Sequence, residues 1–174
     1  VVLVLAFVLI GMYNGMVRGR NMAEEAWSGI DVQLKRRHDL VGNLVNTVKG
    51  YAAHEQAALD SVTAARAKLA GATTVEEKAE ADSALTAALN NLLVIVENYP
   101  DLKANQNFRD LQVQLEGTEN RIATERRKFN EAAQAYNSYI RQFPRNLFAS
   151  MFGFDKQAYF EAEQGAATAP KVEF

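Results

Sequence analysis

Residues Ile30 to Leu69 read IDVQLKRRHDLVGNLVNTVKGYAAHEQAALDSVTAARAKL, with apolar side chains at Ile30, Leu34, Val41, Leu44, Val48, Tyr51, Ala58, Val62, Ala65 and Leu69. Steps of three and four bring these positions onto one stripe of an α-helix, the face that a bundle or coiled coil buries. Arg37 and Glu55 interrupt the stripe. No proline precedes Pro100, and the segment is rich in good helix formers. The spacing therefore predicts one unbroken helix from Arg18 to Ala70, about 80 Å long.

Two more stripes lie downstream. Gly71 suits the residue just past a helix end, and Thr74-Val-Glu-Glu77 has the form of a capping box opening the next helix. The second stripe runs through Val75, Ala79, Leu85, Leu89, Leu92, Val96 and Tyr99, with Pro100 as its stop and Asp101 as a cap for the next segment. The third runs through Phe108, Leu111, Leu115, Thr118, Ile122, Phe129, Ala132, Tyr136, Ile140 and Phe143, and ends at Pro144. Asn105 to Asn107 break its first turns. A short apolar segment, Asn146 to Phe154, leads into an expected last helix over Asp155 to Glu163, and residues 164–174 read as a frayed tail. No strand-type alternation occurs, so residues 18–163 are expected to form an all-α, antiparallel bundle of long helices. The second helix would cover only about 36 Å of the first. The stripe through Trp27, Ile30 and Leu34 thus needs another cover, either the third helix or a second copy of the chain.

Upstream lies Val1 to Val17, VVLVLAFVLIGMYNGMV, without a charge and with Asn14 as its polar side chain. Such a run can sit in hydrocarbon, because a helix satisfies its own backbone hydrogen bonds. Seventeen residues give roughly 25 Å, the low edge of a membrane span, so the run is expected to begin a few residues before Val1. A signal peptide would need a basic leader and a small-residue cleavage site, and neither is visible. Arg18 and Arg20 come directly after the run. They suit contact with anionic lipid and favour an outside N-terminus with a cytoplasmic body. Gly11, Gly15, Gly19 and Ala23 repeat every fourth residue, a strip that lets helices approach closely in lipid and suggests self-association of the anchor.

Composition removes several function classes. The 19 basic and 21 acidic residues leave a net charge of −2, which does not suit a nucleic-acid face. With no cysteine and two histidines, a structural metal site has few ligands to draw on. His54-Glu-Gln-Ala-Ala58 falls short of a zinc-hydrolase HExxH motif because Ala58 stands where the second histidine belongs. His38 and His54, sixteen residues apart, face roughly 160° away from each other on a helix. No phosphate loop, nucleophile elbow or paired carboxylates with a base are present. The chain is read as no enzyme, with no cofactor. Lys35-Arg-Arg-His38 lies about 25 Å beyond Arg18, too far for headgroup attraction, and suits a solvated face or contact with an acidic stretch such as Glu76, Glu77, Glu80 and Asp82. Phe143 to Phe154 carries Phe148, Met151, Phe152 and Phe154 with Arg145 as its charge before Asp155. It forms either a lid on one end of the bundle or a surface that docks on lipid or a partner.

Several motifs together carry a resemblance. Tyr13-Asn14, WSGIDVQLKRRHDLVGNLVNTVKGY from Trp27 to Tyr51, and Tyr99-Pro-Asp-Leu-Lys-Ala-Asn105 are among them. So are Leu111-Gln112, Thr118-Glu-Asn120, Phe129-Asn130, Tyr136-Asn137 and Phe143-Pro-Arg-Asn-Leu147 through Phe152-Gly-Phe154. In this order they resemble the LemA family, with Phe129 where that family often has tyrosine. The resemblance implies an N-terminal transmembrane helix carrying a helical bundle in a bacterial membrane, and a role in membrane organisation or envelope stress; the inner membrane is the expected location. It implies no reaction. The combined expectation is a single-pass structural or assembly module, self-associating and open to other membrane or envelope proteins. The alternative is a signalling adaptor relaying envelope state to a partner.

Overall fold

The structure, a computed structural model, describes residues 2–161. Val1 of the expected anchor and the expected tail, 164–174, lie outside the described residues, and the side chains of Val2 and Leu5 are likewise not described. Six helices account for the regular structure, and no strand occurs among the described residues: α1 (Val2–Lys49), α2 (Gln56–Gly71), α3 (Val75–Val96), α4 (Pro100–Ala104), α5 (Gln106–Arg141) and α6 (Arg145–Met151). The chain divides into two compact units, one of Val1–Val32 with Ile122–Tyr159, the other of Gln33–Arg121 with Phe160–Phe174.

In the second unit the expected unbroken first helix is in fact two. α1 ends at Lys49, where Gly50 N–H donates to Thr47 (3.2 Å) and Tyr51 N–H to Val48 (3.0 Å), the tightened bonding of a helix end. The break has a physical reason in the stripe itself, since a continuous helix would bury Glu55. Instead Glu55 becomes the N-cap residue of α2, and its carboxylate accepts the Tyr99 hydroxyl at 2.7 Å. Ala52 is buried in place of Tyr51, and the stripe resumes through Leu59, Val62 and Leu69.

α2 and α3 form an antiparallel hairpin, with Lys68 paired to Glu80 beside the turn and Glu55 bonded to Tyr99 at the far ends. Thr74 caps α3 as its sequence predicts: the side chain accepts from Glu77 N–H (3.1 Å), and the Glu77 carboxylate accepts from Thr74 N–H (3.1 Å). Arg37, the charge that interrupted the first stripe, is buried. Its guanidinium donates to Asp82 at 2.6 Å and to Thr86 at 2.9 Å, so one acidic residue of the expected stretch meets the basic cluster. α3 has 22 residues, and an 18-residue stretch of it reaches a mean hydropathy of 1.2, enough by length and composition to cross a membrane. It also holds Asp82 and packs Leu85, Leu89 and Leu92 inward, the behaviour of a core helix. Pro100 opens α4 rather than merely stopping α3, with Tyr99 at the N-cap position and Asp101 in the first turn. The expected break at Asn105 is present, and its side chain accepts Phe108 N–H at 2.9 Å to start α5.

In the first unit α1 and α5 run antiparallel. Trp27 packs on Phe129 (ring centroids 5.4 Å apart), Gly19 lies against Tyr136, and Gly15 against Tyr139. One core cluster joins Met16, Tyr136, Ile140, Ala149 and Phe154, with Val17, Tyr139 and Phe148 packed on it. Met16 and Val17, assigned by composition to the anchor, therefore belong to the folded body. α5 ends at Arg141, leaving Phe143 outside the buried stripe at 80% exposed. α6 closes through Gly153, whose φ of 69° suits glycine, with Phe154 N–H donating to Ala149 at 2.9 Å. The expected helix beyond Asp155 is irregular chain as far as residue 161, the last described. Its cause is Asn137, whose amide bonds both backbone groups of Gln157 at 2.8 Å, as a neighbouring strand would.

Candidate membrane-facing site

The first unit has two apolar surfaces that its own helices leave open. One is the start of α1. Leu3, Val4, Phe7, Val8, Leu9 and Ile10 are all exposed, with Phe7 at 74%. Successive helix residues point about 100° apart, so exposure along such a run means that the described residues leave every side of it open. In water each large apolar side chain left exposed forgoes about 1.5–3 kcal/mol of burial. Hydrocarbon removes that cost. The other surface belongs to α6 and its approach: Phe143, Leu147, Met151 and Phe152 are all exposed, Met151 at 76%.

Tyr13 marks where the two surfaces meet. Its ring lies edge-on to Phe152, with centroids 5.6 Å apart, and to Phe154 at 5.5 Å. Around it stand cations held by aromatic faces. Arg20 lies over the Phe154 ring at 5.1 Å, with its Nε 3.8 Å from a Glu24 carboxylate oxygen, and Arg145 lies over Tyr139 at 4.0 Å while donating to Gln142. Arg18 is exposed. Burial holds the Tyr136 phenol above its ordinary pKa; Asp155 and Glu24 add to that, and Arg20 opposes it. A neutral hydroxyl therefore sits in this core.

Of the small-residue strip only Gly11 faces open space. A Cβ at Gly15 would meet the Tyr139 hydroxyl, one at Gly19 would come within 3.1 Å of the Tyr136 ring, and Ala23 is buried. From Gly15 onward the strip is a seat for α5 within the chain. The stripe expected to need cover from the third helix or a second copy is likewise covered: Ile30 and Leu34 are buried and Trp27 rests on Phe129. Of the four aromatic-segment candidates, Met151 and Phe152 face outward, Phe148 is half-buried, and Phe154 at 5% exposed is core. A signal in the sequence was the spacing of Leu147 and Met151, four residues apart and hence on one face of α6.

Among the described residues no three His, Cys, Asp or Glu side chains come together to hold a metal. His38 has its Nδ1 3.1 Å from Asp39, and His54 is an exposed residue of the α1–α2 break. A groove of about 400 Å³ in the second unit is lined by Asp39, Asn43, Asn46, Lys49, Thr63 and Arg66. Arg66 there donates to the His38 carbonyl at 2.9 Å, which is a structural use of the guanidinium.

Several known proteins are similar to this chain along most of its length. Magnetosome protein MamQ of Magnetospirillum gryphiswaldense is 27% identical over 186 residues, which cover 92% of this chain and 68% of that protein. Magnetosome protein MamQ 2 of Paramagnetospirillum magneticum is 27% identical over 193 residues, 95% of this chain and 71% of its own length. Protein LemA of Metamycoplasma hominis is 30% identical over 163 residues, 91% of this chain and 73% of its own length. The LemA family matches residues 26–174, taking in most of both units, and the chain belongs to that family.

Proposed function

We propose that this protein is a single-pass, non-catalytic module of the bacterial inner membrane. In this reading the start of α1 is embedded in lipid and the two helical units form a cytoplasmic platform for membrane organisation. Family membership and a magnetosome relative point to membrane association. The observation that carries the reading is the exposure of Leu3, Val4 and Phe7 to Ile10, which point to every side of the helix and are covered on none by the described residues. A partner protein covers one face of a helix, whereas a bilayer covers all of them. Orientation rests on Arg18 and Arg20 with Arg141 and Arg145 in the same unit, since basic residues collect on the cytoplasmic side. Self-association through the anchor is retained in a narrower form, centred on Gly11, because Gly15 and Gly19 are taken by α5.

The test is fractionation with topology. The full chain, carrying a reporter after Phe174, is expected to stay in the membrane pellet through an alkaline carbonate wash, with the reporter active in the cytoplasm. Release by carbonate overturns the anchor, and a reporter active only outside the cytoplasm overturns the orientation. Native mass spectrometry of the solubilised protein is expected to show an assembly larger than one chain that Gly11→Ile reduces. An unchanged species distribution would remove Gly11 from the account.

A further inference from the structure

We propose that the outward face of α6 is a second and shallower contact with the same bilayer. Phe143, Leu147, Met151 and Phe152 enter the boundary between headgroups and acyl chains, and Arg145 lies at the level of the phosphates. This rests on the reading of α1 as a lipid-embedded helix and adds a site to it.

Three observations lead there. First, the face is built as an amphipathic element in miniature. Ala149 is buried and Phe148 half-buried on the inner side, while Leu147 and Met151, one turn apart, point out, and Phe143 is exposed in the segment before the helix. A helix in water normally presents polar side chains on that side. Second, its level along α1 is fixed. Phe152 touches Tyr13, and Tyr13 stands between the uncovered stretch ending near Gly11 and the fully buried Met16. The α6 face is thus continuous with apolar surface already assigned to lipid, at the position where the chain leaves it. Third, the polar groups around it match an interface. Tyrosine is enriched at membrane boundaries, and Arg18 and Arg145 supply positive charge there. Asp155 comes on the far side of Phe154, after the apolar face has ended.

Lipid, rather than a protein, is the occupant because the two surfaces meet at Tyr13. A protein docking on α6 at that level would have to share the space with the lipid that covers α1. A face of this kind adds apolar burial to an anchor and fixes its rotation and tilt, as interfacial aromatic residues do.

The chain has no cysteine, so single-cysteine variants label cleanly. Leu9→Cys reports the anchor, Leu147→Cys and Met151→Cys report α6, and Val113→Cys is an exposed control in the second unit. Each full-length variant carries an environment-sensitive dye and is reconstituted in phosphatidylcholine–phosphatidylglycerol vesicles. These contain lipids with a quencher attached either high or low on the acyl chain. All four substitutions lie on exposed positions and leave the core intact. The expected result is strong quenching of Leu9→Cys by the deep quencher. Leu147→Cys and Met151→Cys should be quenched at least twofold more by the shallow quencher than by the deep one, and Val113→Cys by neither. If Leu9→Cys is quenched while both α6 variants behave like Val113→Cys, the shallow contact is wrong and the anchor stands. An α6 dye shielded from water yet unquenched by lipid would mean a protein or a second copy covers the face, which also overturns the proposal. If Leu9→Cys itself escapes quenching, the anchor fails and the α6 contact fails with it.

Discussion

The two units are made from similar materials, long antiparallel helices with apolar stripes, yet they treat charge and exposure in opposite ways. The second unit takes a full ion pair, Arg37 with Asp82, into its interior and leaves a largely polar exterior. The first unit buries an aromatic cluster around Tyr136 and leaves Phe143, Leu147, Met151, Phe152 and, at the start of α1, Leu3, Val4 and Phe7 to Ile10 outside. Hydrophobic content alone does not separate them, since α3 of the second unit is itself apolar enough to pass for a membrane span. What separates them is where the apolar atoms end up. A unit built for water on all sides hides them, and a unit built for a boundary keeps a share on display.

The sharpest way to break the second unit is to strand one half of its buried pair. Asp82→Ala leaves the Arg37 guanidinium inside without its carboxylate, and removing one partner of a buried ion pair costs roughly 3–5 kcal/mol. We expect a loss of that size in denaturant unfolding followed by circular dichroism. Replacing both, Arg37→Met with Asp82→Leu, should recover most of it, because the desolvation of two charges disappears together with their attraction. A double variant as unstable as the single one would show that the pair contributes by more than charge.

A smaller effect sharpens the contrast within the first unit. Gly19→Leu drives a side chain into the ring of Tyr136, which is buried and cannot swing away, and overpacking of this kind costs about 1–3 kcal/mol. Gly11→Leu meets nothing within 4 Å and is expected to leave stability unchanged. Trp27 is the chain's one tryptophan and packs on Phe129 in this unit, so its fluorescence tracks the unfolding. Equal effects at the two glycines would mean that the strip is one continuous surface, contrary to its division at Gly15.

These glycines also show how far the sequence could be read. Periodicity revealed the helices and their faces, because the buried stripe is a local property of spacing: Val41, Leu44, Val48, Leu85, Leu92, Ile122, Phe129 and Ile140 are all core. The capping box at Thr74 and the break at Asn105 were legible for the same reason, each being complete within four residues. Partner choice was not. Nothing in a four-residue repeat of small side chains says whether the approaching helix belongs to another copy or to the same chain. The break after Lys49 was hidden as well, since only tertiary contact reveals that Glu55 is wanted by Tyr99. Asn137 illustrates the limit most plainly: its hold on Gln157, twenty residues away, converts a plausible helix into irregular chain.

The smallest expected effect falls on the α2–α3 turn and separates the units by pH. Thr74→Ala removes the side-chain acceptor for Glu77 N–H, a loss of about 1 kcal/mol for a helix N-cap. The Glu77 carboxyl is held below its ordinary value of 4.5, first by the Thr73 backbone N–H, then by the Thr74 N–H and the Thr73 hydroxyl. A depressed folded-state pKa stabilises the fold only where the carboxylate is ionised. That contribution is therefore fully present above pH 4.5 and fades as pH falls through the lower folded value. Glu77→Gln should weaken the protein near neutrality, and the gap to wild type should close as the solution is acidified below the ordinary carboxylate range. In the first unit the outward α6 side chains Phe143, Leu147, Met151 and Phe152 carry no titratable group, so dye quenching at Met151→Cys should not move over the same range. A Glu77→Gln deficit that stays constant from neutral to acid pH would assign the effect to lost helix propensity and remove the carboxylate from the capping account.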